Sequence, residues 1–175
     1  WYDTHRLPNG KWARLYDPSS YLPACRVPMF FVNGNKDIHY PLDSYRRSMD
    51  AVKGPRTIRV KPGMGHSHPA GWRPMEIGLF IDSHCKGSKQ LPKLGPVKIH
   101  SGTAIVNYES AANLEKATLH YTVDRGLKSK RAWKSRPAVI GNGKIDAGVV
   151  PEGATLWLIT ATDERGALVS SPPQF

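Results

Sequence analysis

The hydrophobic pattern of this chain changes period once, and that change limits the folds open to it. Before residue 86, continuous apolar runs alternate with apolar residues at helical spacing. After residue 96 the apolar positions recur every second residue. Between the two lies Lys-Gly-Ser-Lys-Gln-Leu-Pro-Lys-Leu-Gly-Pro, a linker by composition. The expected organisation is therefore an α/β portion over residues 1–85, a linker over 86–96 and an all-β domain over 97–175.

In the first portion, Val27-Pro28-Met29-Phe30-Phe31-Val32 is apolar on both faces, as a buried parallel strand is. Asn33-Gly34-Asn35-Lys36-Asp37 then supplies turn chemistry. Leu42, Tyr45, Met49 and Val52 recur at helical spacing, separated by Arg46, Arg47 and Asp50, which predicts an amphipathic helix over 41–52 with Pro41 in its first turn. Residues 56–60 alternate and predict a second strand. A glycine-rich loop over 63–72 leads to a last helix over 74–85. Strand, helix, strand, helix in this order predicts a parallel βαβα unit.

Beyond the linker, strand candidates fall at 97–99, 104–108, 117–123, 132–133, 138–140, 144–148, 155–162 and 167–170, with no helix between them. Regular short strands of this kind predict an antiparallel sandwich of immunoglobulin or fibronectin type. The fold class expected for the whole is α/β plus all-β.

The formal charge of +11 is spread evenly: 12 Lys/Arg against 7 Asp/Glu in residues 1–85, and 13 against 7 in residues 86–175. The densest run is Lys128-Ser129-Lys130-Arg131 with Lys134 and Arg136. It lacks the aromatic platform of a single-strand binder and any finger or helix-turn-helix spacing, so it reads as a solvated loop and no nucleic-acid partner is expected. No stretch approaches the ~20 apolar residues that span a bilayer, and no membrane partner is expected. Two cysteines, Cys25 and Cys85, allow one bridge or two free thiols and do not identify a compartment.

Two segments carry candidate chemistry. Asp37 follows the carboxyl end of the first strand, where parallel sheets place reactive groups. His66 lies in the loop after the second strand, hence on the same edge, and neighbouring strands are ~4.8 Å apart. A carboxylate on one ring nitrogen fixes the tautomer and leaves the other nitrogen as a base. A second reading gathers Asp37, His66 and His68, with His39 in support, around Zn²⁺, whose open position would activate water. A third reading is a non-catalytic module that binds carbohydrate or a partner, with Trp12, Trp72 and Trp133 as stacking candidates; core packing is the plainer role for such residues.

The segments Val32-Asn33-Gly34-Asn35-Lys36-Asp37, Tyr40-Pro41-Leu42-Asp43-Ser44-Tyr45 and Met64-Gly65-His66-Ser67-His68-Pro69-Ala70-Gly71-Trp72 resemble the acid and histidine segments of α/β-hydrolases similar to acetylxylan esterases and dienelactone hydrolases. The resemblance covers residues 12–85, and the following sandwich looks like one found after similar esterase domains in bacterial proteins. It implies a catalytic acid at Asp37 and a base at His66, preceded in chain order by a serine. No G-x-S-x-G elbow occurs here; Ser19, Ser20, Ser44, Ser48 and Ser67 all lack the glycine flanks. The leading expectation is thus a chain derived from a serine carboxylic-ester hydrolase, without its nucleophile and without a cofactor unless zinc is held. A hydrolase sheet reduced to two strands would leave the strand at 27–32 with a bare edge and exposed faces, which predicts a homodimer or larger assembly that pairs along that edge or buries those faces.

Overall fold

The computed structural model describes residues 10–175. Residues 1–9 and the side chain of Trp12 lie outside the described residues; of the irregular segment that the aromatic-rich sequence of residues 1–26 predicts, residues 11–16 are helical instead. From Gly10 the chain forms helix α1 (Lys11–Tyr16) and two 3₁₀ turns, Pro18–Ser20 and Leu22–Ala24. Strand β1 (Met29–Lys36), helix α2 (Leu42–Ala51), strand β2 (Arg56–Gly65) and helices α3 (His68–Trp72) and α4 (Met75–Cys85) follow. The remaining strands are β3 (Lys93–His100), β4 (Thr103–Glu109), β5 (Leu114–Thr122), β6 (Lys134–Gly141), β7 (Lys144–Val149), β8 (Leu156–Asp163) and β9 (Leu168–Ser170).

Strands β3 to β9 form one seven-stranded sheet in the order β3-β4-β7-β6-β5-β8-β9, antiparallel at every pairing. Register shifts interrupt the β3–β4, β4–β7 and β5–β8 ladders, and bulges of this kind bend a sheet. Its end strands β3 and β9 come into contact, so the sheet curls towards a half-barrel. Strands β1 and β2 pair in parallel as a separate two-stranded sheet, with α2 between them in the chain.

This architecture corrects the expected fold class. Strand outweighs helix, and most strands belong to one curled antiparallel sheet, not to two sheets stacked as a sandwich. No third parallel strand joins β1 and β2 among the described residues, so they hold no α/β-hydrolase sheet. The physical reason lies at the edge of β2. There the chain brings up β9, and the Val60 N–H donates to Ser170 Oγ at 2.9 Å.

Strand β8 shows how the parts are joined. Its run Leu156-Trp157-Leu158-Ile159 is buried on both faces. Trp157, Ile159 and Ala161 pack inside the curled sheet with Leu119, Ile145 and Val169, and Phe30, Leu79 and Phe80 of β1 and α4 close over that core. Leu156 and Leu158 point the other way, onto Phe31, Leu42, Met49, Ile58 and Val60. Burial of such side chains stabilises the fold by ~1.5–3 kcal/mol each, so the β1–β2 layer and the large sheet share their largest energetic term.

The segment between α4 and β3 is fastened at several points. Leu91 is buried in the core of the curled sheet. Arg165 donates to the carbonyls of Lys89 and Gln90 at 2.8 and 3.0 Å, while its other contacts go to the fully buried carboxylate of Asp163. Both cysteines are free thiols, Cys25 half-buried and Cys85 exposed.

Candidate functional site

The site forms where β1 and β2 end together. Along most of their length the strands run in simple register, but Gly34 pairs with Lys61 and Lys36 with Gly65, so β2 carries extra residues at this point. Gly63 absorbs the excess with a φ of 82°, a conformation that glycine adopts without a steric penalty. Its N–H donates to Asn35 Oδ1 at 2.7 Å, which satisfies a donor that the irregular ladder leaves over. Gly34 is required for another reason: a Cβ there would lie 2.0 Å from the carbonyl oxygen of Met64. The two strand ends therefore approach more closely than any side chain at position 34 permits.

Beyond the ladder the chain turns, and Asn33 holds the turn. Its Nδ2 donates to the Tyr40 carbonyl at 2.9 Å and its Oδ1 accepts from the Gly34 N–H at 2.7 Å. Asp37 sits inside this turn, nearly buried. Its Oδ1 accepts from the backbone N–H groups of His39 and Tyr40, both at 2.8 Å. Its Oδ2 lies 3.0 Å from Nδ1 of His66, the first residue past β2. An ionised carboxylate only accepts hydrogen bonds, so Nδ1 carries the proton and the neutral ring presents its lone pair at Nε2.

The imidazole is held in place by its neighbours. The His39 ring meets it edge-on at 4.5 Å, and the Tyr40 ring lies tilted against it at 5.6 Å. The His66 side chain is 36% exposed, against 9% for Asp37. The ring is thus anchored at Nδ1 while the side chain stays partly open to solvent. No described serine or cysteine hydrogen-bonds this ring.

Helix α2 is fixed above β1 by Tyr45, whose hydroxyl donates to the Val32 carbonyl at 2.9 Å and whose ring meets Phe31 edge-on. Burial, with a smaller contribution from the charge of Asp37, pushes the Tyr45 phenol up to about 12, so it stays protonated and keeps donating.

The structure brings Asp37 and His66 together, and places His39 against the ring of His66. It does not bring in His68, which is exposed at the start of α3. Among the described residues no group of three or more His, Cys, Asp or Glu is placed to hold a metal ion, and the expected zinc set of Asp37, His66, His68 and His39 is corrected accordingly. The reason is local: Ser67, itself extended, caps α3 by accepting the Ala70 N–H at its Oγ, so His68 is already the first residue of that helix and stays exposed. Of the tryptophans, Trp133 packs against the core beside β1 and α2, and Trp72 is exposed.

Sequence reasoning missed a second polar group close to this end of the sheet. Arg59 of β2 and Glu76 of α4 are both buried, with Nε and Oε2 3.0 Å apart. Glu76 Oε1 also accepts the Leu168 N–H at 2.8 Å, which ties α4 to β9. The signal available was a glutamate in the first turn of a helix, followed by the run Ile77-Gly78-Leu79-Phe80-Ile81, which has no polar side chain.

Comparison with protein families matches residues 8–126 to the PhoPQ-activated pathogenicity-related protein family. No curated protein and no solved structure matches the chain. The match overturns the expected kinship with acetylxylan esterases and dienelactone hydrolases. With it go the readings as an ester-hydrolase remnant, as a zinc hydrolase and as an appended binding module. The matched residues cover more than half of the sequence, and the chain belongs to the PhoPQ-activated pathogenicity-related protein family.

Proposed function

We propose that Asp37 and His66 form a proton-transfer dyad, with His66 Nε2 as the accepting atom and Asp37 as its positioning residue. The observation that carries this reading is the division of labour in the carboxylate. One oxygen is occupied by two backbone N–H groups, so the other is held in place for His66 Nδ1. A carboxylate bound this way cannot swing aside, and the ring it orients keeps a single tautomer. On this partly exposed side chain, Nε2 then accepts a proton from a hydroxyl or water presented at the end of the β1–β2 ladder. The family description speaks of PhoPQ activation and pathogenicity, and we propose that setting for the dyad.

Nitrogen-15 NMR of the His66 ring tests the reading directly. The expected result is a protonated Nδ1 and a lone pair on Nε2, the reverse of the tautomer that free histidine favours. Asp37→Asn should abolish that preference and slow acylation of His66 by diethyl pyrocarbonate several-fold. A wild-type ring protonated on Nε2, or an acylation rate unchanged by the substitution, would overturn it.

For a macromolecular partner we propose a second copy of this chain along residues 27–32. In support, β1 is hydrogen-bonded to one strand only among the described residues, and Val27 just ahead of it is exposed. Phe30 and Phe31 are turned into the two cores, so backbone groups would make the contact. Sedimentation velocity at micromolar concentration should show a dimer; a compact monomer refutes this assignment.

A further inference from the structure

Behind the loop that leads to His66, on the side of β2 and α4, lies an open cleft of about 770 Å³. Its walls come from Arg59 and Lys61 to Gly65 of β2, from Ala70 of α3, from Arg73 to Glu76 at the start of α4, and from Gly166 in the β8–β9 turn. Three cations line it: Arg59, Lys61 and Arg73. Glu76 is its one anionic wall residue, and that carboxylate is already committed, to Arg59 through one oxygen and to the Leu168 N–H through the other. Lys61 and Arg73 are exposed and form no ion pair among the described residues. The cleft therefore carries uncompensated positive charge.

Two further features give this charge a direction. Helix α4 is 11 residues long and begins at the cleft with Pro74 as its cap, which has no side chain to cover the first N–H groups. The positive end of that helix faces the same space as the three cations. Arg59 is buried, yet its guanidinium is incompletely used. Its Nη1 reaches only the Met64 sulfur at 3.6 Å, and Nε, although 3.0 Å from Glu76 Oε2, is not aligned for a hydrogen bond. Desolvated N–H donors of this kind bind strongly to an oxyanion that completes their geometry. The rest of the wall is apolar: Pro62, Met64, Ala70, Pro74 and Met75.

We infer that this cleft is a binding site for a small organic anion, its oxyanion head group held by Arg59, Lys61, Arg73 and the start of α4, and its apolar body lying on Met64 and Met75. The site stands apart from the Asp37–His66 dyad in its chemistry and does not depend on it. Phosphate esters and carboxylates share the head-group chemistry that the cleft recognises; the dianion of a phosphate monoester gains more from it.

Calorimetric titration of the full chain with phenyl phosphate, benzoate and inorganic phosphate tests the inference. Phenyl phosphate should bind saturably, benzoate more weakly, and inorganic phosphate more weakly than phenyl phosphate because it lacks the apolar body. Lys61→Glu and Arg73→Glu, both on exposed side chains, should each weaken phenyl phosphate at least tenfold. Lys144→Glu makes the same change in net charge outside the cleft and should leave the affinity unchanged. Equal weakening by all three variants would reduce the effect to general attraction by a basic chain and overturn the site, as would the absence of saturable binding. Benzoate binding as tightly as phenyl phosphate would refute the preference for a dianion.

Discussion

Gly34→Ala is the sharpest test of how the strand ends are positioned. The added Cβ would lie 2.0 Å from the Met64 carbonyl oxygen and 2.6 Å from the Met64 carbonyl carbon and Cβ. Ordinary contact begins at 3.4 Å, so β1 and β2 must part by about 1.4 Å at this point. The neighbour is backbone inside a ladder, and no side chain can rotate away. Separation on that scale disrupts the pairing at Gly34–Lys61 and Lys36–Gly65. Two hydrogen bonds lost at ~0.5–1.5 kcal/mol each and the overpacking itself at ~1–3 kcal/mol together give ~2–6 kcal/mol. With a urea slope of ~2 kcal/mol/M, the unfolding midpoint should fall by roughly 1–3 M. Gly78→Ala is the control. Nothing lies within 4 Å of a Cβ at that exposed position in α4, and alanine should stabilise the helix by ~0.5–1 kcal/mol. A Gly34→Ala midpoint equal to that of the wild type, with Gly78→Ala behaving as stated, would refute the close approach.

Two other outcomes follow from buried polar groups. His120 lies between Ser135 Oγ at 2.7 Å and Thr160 Oγ1 at 2.9 Å, and burial, helped by the charge of Lys116, lowers its pKa from 6.5 to about 4. The fold holds the neutral ring while the unfolded chain takes up a proton near 6.5, so this contribution is whole above that pH and disappears as pH falls towards 4. Allowing for partial exposure, His120→Gln should remove ~1–2 kcal/mol of pH-dependent stability, read as a flatter urea midpoint between pH 7 and 4.5; parallel profiles would contradict it. Glu76→Ala leaves the Arg59 guanidinium buried without its counter-charge and should cost ~3–5 kcal/mol, whereas the double change Arg59→Met, Glu76→Leu should recover most of that loss in thermal unfolding.

Local structure was legible because it depends on local spacing. The positions Leu42, Tyr45, Met49 and Val52 predicted a helix over 41–52, and α2 runs Leu42–Ala51. The alternation after residue 96 predicted most of the strands that form the large sheet. Assembly was not legible. Periodicity reports which face of a strand is buried, not which strand covers its edge, so neither β9 beside β2 nor the curl that brings β3 to β9 could be read. At the site, the turn chemistry after β1 and the glycines before His66 pointed to the pairing of Asp37 with His66. The same reasoning placed His68 with them because it took the extended segment to run through 68, whereas Ser67 is extended only as the cap of a helix that begins at His68. Alternation over 56–60 left the place of Arg59 unread; its burial depends on Glu76, seventeen positions away and on another element.

The two-sided burial of β8 also makes that strand intolerant of a change in length. Odd-numbered Trp157, Ile159 and Ala161 serve one core, and even-numbered Leu156 and Leu158 serve the other. Deleting one residue within it would exchange these sets, drive an indole into the space shaped for a leucine, and shift Thr160 away from His120. Both hydrophobic compartments would fail together, and so would the backbone bonds that fasten Gln174 to Trp157. Single-residue deletions should therefore be lethal to folding throughout 156–161.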